Sequence, residues 1–250
     1  MQKLQVITYN IHKGFSQFKQ RMSVHDLRDK LRAIGADVVF LQEVQGLHDI
    51  HSARHRNWPP APQYEFLADS IWNDFAYGKN AVYDEGHHGN AILSKYPIYR
   101  WDNEDISMHG SESRGLLHCE IEIPGWPKNL HCINVHLGLL GHWRRKQIVL
   151  LKERIRKLVP DEAPLVIAGD FNDWRRLASA ELVNALHVSE VFEITSGRPA
   201  RSYPAMFPML RLDRIYVRGF SVERTHVHHG RVWSRLSDHV ALSARLIRKV

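Results

Sequence analysis

The chain has 250 residues at 44% apolar composition, enough for a large core, and a single domain over residues 1–250 is expected. No run of eighteen apolar residues occurs and Leu4 to Ile7 reads as a strand instead of a signal-peptide core, so a membrane-spanning chain is excluded and a cytoplasmic monomer, at most peripheral to a membrane, is expected. The net charge of +7 is local: residues 198–250 carry eleven Lys or Arg against Asp213, Glu223 and Asp238, leaving residues 1–197 at −1, a balance that suits an anionic partner or a solvated arginine-rich surface.

Strand-like runs are predicted at Leu4 to Thr8, Val38 to Leu41, Ala91 to Ser94, Leu116 to Ile123, Leu130 to Val135, Leu165 to Ala168, Leu212 to Val217 and Val240 to Leu246. Helical periodicity is clearest at Val24 to Ile34 and His142 to Val159, with Ser23 placed to cap the first and Pro160 to stop the second. Residues 51–63 and Ser196 to Pro208 read as surface loops. Cys119 and Cys132 each fall inside an apparently buried strand, as reduced core residues would. Many short strands with few helices argue against a doubly wound parallel sheet. An α/β arrangement of two packed sheets with helices outside fits better.

Six strand ends carry polar residues that strand propensity does not explain. They are Asn10 with His12, Glu43 after Leu41, His136 after Asn134, Asp170 with Asn172, Asp213 after Leu212, and Asp238 with His239. In Gly-Asp170-Phe-Asn172 the period of a strand end sends Asp170 and Asn172 to one face while Phe171 turns to the core. An Asx turn would use the same residues, and Glu43 alone reads equally well as a solvated strand end.

Hydrolysis of a phosphate ester asks for this mixture: a divalent cation, a positioned water, donors to the phosphoryl oxygens and help for the leaving oxygen. Mg²⁺ prefers one or two carboxylates, and Mn²⁺ is an alternative. No Cys/His pair has zinc-finger spacing and no His-Glu-x-x-His occurs, which argues against zinc. The phosphate-cradling Gly-x-x-x-x-Gly-Lys and the serine-hydrolase Gly-x-Ser-x-Gly are also missing.

The order of these motifs resembles the endonuclease/exonuclease/phosphatase superfamily from residue 3 to about 246, and within it the bacterial YbhP-like branch through Asp74 to Asn90 and Leu210 to Tyr216. The resemblance implies a four-layer α/β-sandwich of two mixed sheets flanked by helices. It implies Glu43 as principal Mg²⁺ ligand with Asn10 beside it and Asp238 completing the set. Asp170 would orient or deprotonate the attacking water, Asn172 and His239 would bind phosphoryl oxygens, and Asp213 would fix the tautomer of His239. His136 would assist the leaving group, as in the deoxyribonuclease and sphingomyelinase branches, and Arg114 would contact phosphate. The deoxyribonuclease branch orients that histidine with a glutamate. Here the segment reads His87-His88-Gly89-Asn90, so His88 or Asn90 substitutes or His136 stands unpartnered, with Glu85 a further candidate.

Two substrate readings follow, with a non-catalytic phosphate-binding module as the reading from another class. The first is a phosphodiesterase on a phospholipid headgroup or small phosphodiester, in which the apolar loop Tyr203 to Leu210 touches a bilayer. A loop packed on the core is the more ordinary reading of the same residues, because prolines and aromatics commonly anchor loops. The second is a nuclease on DNA or RNA, with Arg198, Arg201, Arg231 and Arg235 tracking the backbone and Trp233 stacking a base. A binding module would have lost Glu43, Asp170, Asn172, Asp213 or His239, and all are present.

Overall fold

In a computed structural model, which describes residues 3–17, 21–110, 112–175 and 177–249, the apolar runs pair into two mixed six-stranded sheets with helices outside. The first sheet contains β1 (Lys3–Asn10), β2 (Val38–His48), β3 (Asp74–Tyr83), β4 (Gly86–Ser94), β11 (Phe220–His228) and β12 (Ala241–Arg248), in the order β11-β12-β1-β2-β4-β3. The second contains β5 (Ile98–Asp105), β6 (Gly115–Ile121), β7 (Leu130–His136), β8 (Leu165–Asp170), β9 (Ser189–Glu190) and β10 (Asp213–Arg218), in the order β5-β6-β7-β8-β10-β9. Each sheet is antiparallel except for one central parallel pair, β1 with β2 and β7 with β8. Parallel neighbours end at the same edge, so four strand ends deliver polar residues to one rim of the sandwich.

The two sheets bury a shared apolar layer that includes Val6, Phe40, Ile92, Leu117, Cys132, Val166 and Leu242. Cys119 and Cys132 face each other in the β6/β7 register, both buried and free. The outer layers are helical. The helix α1 (Val24–Ile34) covers the first sheet through Val24, Leu27 and Leu31, while α4 (Gly141–Leu158) covers the second through Ile148, Leu151 and Ile155. Among the described residues no helix is long and apolar enough to cross a membrane.

The layer is also pinned by polar groups. The Asn134 amide donates to the carbonyls of Leu41 (2.8 Å) and Ala91 (2.9 Å) in the facing sheet, and Gln42 donates back to Asn134 Oδ1 at 2.7 Å. Both side chains are fully buried, so these bonds fix how the sheets are aligned directly beneath the polar rim.

Local departures from expectation have physical causes. Ser23 precedes α1 as expected, but its hydroxyl donates to the Leu236 carbonyl at 2.6 Å instead of capping, and Gly35 closes the helix in the left-handed region. The expected loop at 51–63 begins inside α2 (Asp49–Arg54), whose first turn is held by His48 Nδ1 accepting from the amide of His51, and ends at α3 (Gln63–Ala68). The strands β3, β5, β9 and β11 and the helices α5 (Leu177–Leu186) and α6 (Val191–Ser196) lack a clean period in sequence. β5 and β11 lie at sheet edges and keep exposed charged residues, which masks the alternation.

Candidate active site

The rim formed by the strand ends encloses an open cavity of about 420 Å³. Its wall carries Asn10, Glu43, His88, Arg114, His136, Asp170, Asn172 and His239, eight of the eleven residues expected from the sequence. Lys13, Leu139, Trp174, Tyr203, Leu210 and Leu212 complete it.

Glu43 reaches this cavity because β2 carries one residue more than β4 between Leu41 and Val44. The extra residue is accommodated with Glu43 at φ 55°, a left-handed conformation that a glutamate adopts only where its surroundings impose it. Gln42 then points into the inter-sheet core and Glu43 toward the cavity. Asp170 depends on a different device. Gly169 sits at φ 142° on β8, and a Cβ there would lie 2.0 Å from the Val135 carbonyl of β7, so only glycine lets the two parallel strands approach.

Asp170 is the hub. Its Oδ1 accepts the Asn172 amide at 3.0 Å, and its Oδ2 accepts from Asn10 Nδ2 at 3.2 Å. The same Oδ2 lies 3.6 Å from His136 Nε2 and 3.7 Å from His239 Nε2. Behind it, Asp213 Oδ2 accepts from His239 Nδ1 at 2.8 Å, and Asp213 is itself seated by the Ser202 hydroxyl, which takes its amide hydrogen at 3.2 Å. Ser237 holds the other side of His239, accepting its amide at 3.3 Å while donating to the Asn10 carbonyl at 2.7 Å.

This burial sets the two histidines apart. His136 is driven well below the usual imidazole range, first by desolvation and then by the positive charges of Arg114 and His239, so it is neutral. For His239 burial pulls the same way, but the Asp213 charge and hydrogen bond, with Asp170 and Asp238 behind, outweigh it and raise the ring to about 10. Asp170 is raised to about 6 by its own burial and then by Asp213, with His239, Asn172 and Asn10 opposing. At neutral pH the cavity thus holds a carboxylate with an imidazolium and a neutral imidazole each within 4 Å of it.

The remaining expected residues sort differently. Asn10 Oδ1 accepts the amide of His12 at 3.1 Å, so its amide group bridges Glu43 (3.3 Å) and Asp170 as a donor. Asn172 spends one amide hydrogen on the Leu137 carbonyl at 2.8 Å and keeps the second. Asp238 is half-buried off the cavity wall, 3.3 Å from the Ser237 hydroxyl. Asn90 is also off the wall, because its amide donates across the sandwich to the Gly115 carbonyl at 3.1 Å, next to Arg114. His88, on the wall with His136, is the better placed of the two substitutes considered for the missing glutamate. Glu85 stays exposed in the β3/β4 turn and is not part of the site.

Divalent-ion chemistry fits the donor set. Glu43 presents a carboxylate to the cavity with the Asn10 amide beside it, and Asp170 offers a second hard oxygen nearby. A second convergence of ligand-type atoms in the site is Asp170, Asp213 and His239, whose donor atoms lie within 4.8 Å of one another.

Sequence reading missed the apolar half of the wall. Trp174 lies two residues beyond the Gly-Asp-Phe-Asn run and stands 42% exposed, its ring under the Arg144 guanidinium at 5.2 Å. Tyr203 packs its ring 5.1 Å from that of His239. Their signal was present as aromatic residues next to catalytic motifs, yet an aromatic in a loop commonly anchors to the core. Trp233 does the latter, against Tyr9 and His228.

A family model described as "Endonuclease/Exonuclease/phosphatase family" matches residues 7–239. The protein called "Uncharacterized protein YbhP" in Escherichia coli K12 is 49% identical over 241 residues, 96% of this chain and 95% of its own length. A solved endonuclease/exonuclease/phosphatase from Beutenbergia cavernae superposes with a TM-score of 0.76 at 19% identity, covering 100% of this chain and 72% of that one. A humanized D. rerio TDP2 gives 0.72 at 22% identity, over 98% and 99% of the two chains. A mannosyl-6-phosphatase from Bacteroides thetaiotaomicron gives 0.74 at 16%, over 98% and 99%. At such identities the structures speak for the fold alone.

Proposed function

From the premise that the chain belongs to the endonuclease/exonuclease/phosphatase family, we propose that it is a Mg²⁺-dependent phosphodiesterase acting on a phospholipid headgroup or a small phosphodiester. The observation that carries the reading is the separation of charge around Asp170, with a charged His239 and a neutral His136 on the same oxygen. Glu43, with Asn10 beside it, would hold Mg²⁺ or Mn²⁺, which when bound offsets charge on the phosphoryl oxygens.

The chain's own residues supply the rest. Asp170, ionised above about pH 6, orients the attacking water and takes up its proton. His239, kept as imidazolium by Asp213, donates Nε2–H to a phosphoryl oxygen as charge builds there, and the free Asn172 amide hydrogen and Arg114 add donors. His136, being neutral, serves the leaving oxygen through an N–H hydrogen bond and not as a charged acid. The leaving group faces an apolar wall of Leu139, Trp174, Tyr203 and Leu210, which supports a diester with an organic substituent over a bare phosphate.

The loop reaching from Tyr203 to Leu210 supports the lipid reading. Instead of packing on the core, Met206 and Phe207 are 73% and 72% exposed at its tip, beside the cavity mouth and close in sequence to the exposed Arg201. One observation favours the nuclease reading: Trp174, not the core-packed Trp233, is available to stack a base.

The test is a panel of anionic phospholipid vesicles, phosphoinositides, plasmid and abasic DNA, RNA and a bis-aryl phosphodiester, each with Mg²⁺ and with a His239→Ala control. Hydrolysis of lipid with vesicle co-sedimentation lost in Phe207→Asp is expected. DNA hydrolysis with steep salt dependence and no vesicle binding would replace the lipid reading by the nuclease one.

A further inference from the structure

A second cluster of ligand-type side chains lies on the other face of the second sheet, and the proposed hydrolysis does not use it. In β6 the residues His118 and Glu120 share the face opposite Leu117 and Cys119, and in β7 His131 stands directly across from Glu120. All three are buried, and His118 and Glu120 line a cavity of about 150 Å³ shared with Trp101 of β5 and with Arg154 and Leu158 at the end of α4. His131 is an odd number of residues from His136, so it points away from the phosphoesterase cavity. Five residues of strand put it roughly 16 Å from that histidine.

The three side chains are spaced as ligands are. His118 Nε2 is 3.0 Å from His131 Nδ1, which is 3.8 Å from Glu120 Oε1, and all three donor atoms lie within 4.8 Å of one another. A tetrahedral ion with nitrogen and oxygen ligands at about 2.0–2.2 Å holds neighbouring donors about 3.3–3.6 Å apart. Two of the observed separations bracket that edge and the third is at most 4.8 Å, so small side-chain rotations would complete the shell, with water from the cavity as fourth ligand. We propose that His118, Glu120 and His131 form a zinc-class transition-metal site, distinct from the Mg²⁺ site of the phosphoesterase cavity.

Donor chemistry separates the two sites. Two imidazoles and one carboxylate suit Zn²⁺ or Co²⁺, whereas Mg²⁺ prefers oxygen donors and water. The local charges also permit a cation: Arg154 is already engaged by Asp102 and Glu104, and the charged partner of Glu120 beyond the cluster is Arg100, whose contacts at 2.8 Å and 2.5 Å both fall on Oε1. The Arg100 side chain is 64% exposed, so it can turn into solvent when an ion takes its place. Arg100 therefore competes with the metal for Glu120. In this reading a bound ion ties β6 and β7 together.

The full chain, stripped by chelation and dialysed into saturating Mg²⁺, would be titrated with Co²⁺ alone and then displaced with Zn²⁺. One Co²⁺ per chain with an intense visible d–d band is expected, bleached by Zn²⁺ and unaffected by His239→Ala. His118→Gln or His131→Gln should weaken binding at least tenfold, and Arg100→Gln should tighten it severalfold. Wild-type protein with no visible band at stoichiometric Co²⁺ would overturn the site, as would unchanged affinity in Arg100→Gln, a surface substitution that leaves folding intact. A site here with no hydrolytic activity would count against the phosphoesterase reading alone.

Discussion

Replacing Asp213 by Asn changes one atom and tests how the site divides its charges. In the wild type the Asp213 carboxylate, 2.8 Å from His239 Nδ1, overcomes the burial that would otherwise lower the ring, and His239 titrates at about 10. Removing the charge leaves burial opposed by Asp170 and Asp238 alone, so the ring falls from about 10 toward the ordinary imidazole value of about 6.5, at which about a tenth of it would be protonated at pH 7.5. Loss of the tautomer-fixing partner adds a further factor of about 10–100. We expect kcat/KM on a bis-aryl phosphodiester to fall roughly 10²–10³-fold at pH 7.5. The pH profile should change shape as well. The wild type should be active from about pH 6, where Asp170 ionises, to about pH 10, while the variant should recover activity on acidification. NMR titration of His239 in chelated protein reports the ring directly. A variant within threefold of wild type, with the same pH profile, would refute the reasoning.

Two further predictions concern stability. Glu190 is 2% exposed and its carboxyl is raised to about 7, chiefly by desolvation, so the folded state holds its proton more tightly than the unfolded state does. Its contribution is therefore fully favourable below about pH 4.5 and is lost as pH rises toward 7, by up to about 3 kcal/mol. Glu190→Gln keeps an oxygen for the Glu193 amide and should remove this slope. Urea midpoints from pH 5 to 8 that fall equally in both proteins would contradict it. Gly169→Ala should cost about 3 kcal/mol or more, because the added Cβ meets the Val135 carbonyl in a conformation alanine disfavours; a loss under about 1 kcal/mol in equilibrium unfolding would show that the strands relax freely.

The parts of the fold that sequence made legible were those where one period governs. α1 spans Val24–Ile34 as its apolar spacing requires, and the buried strands of both sheets fall where continuous apolar runs lie. The edge strands β5 and β11 were hidden because half-solvated strands mix charges into the pattern. In the site, residue identities were readable but directions were not. Glu43 enters the cavity by a bulge, which no local signal marks. Asn90 is expected beside His136 and Asn10 beside the metal, yet in three dimensions Asn90 bonds the Gly115 carbonyl and Asn10 bridges two carboxylates as a donor. Trp174 and Tyr203 face the cavity through tertiary placement alone.

The central claim is that this cavity hydrolyses a phosphoester with a divalent ion and His239. The measurement that tests it most directly is the Mg²⁺-dependent rate on a bis-aryl phosphodiester for wild type, Glu43→Gln and His239→Ala. The account predicts turnover abolished by chelation, restored by Mg²⁺ or Mn²⁺, and reduced at least 10²-fold in each variant. Turnover that survives chelation, or that persists unchanged in His239→Ala, would contradict it.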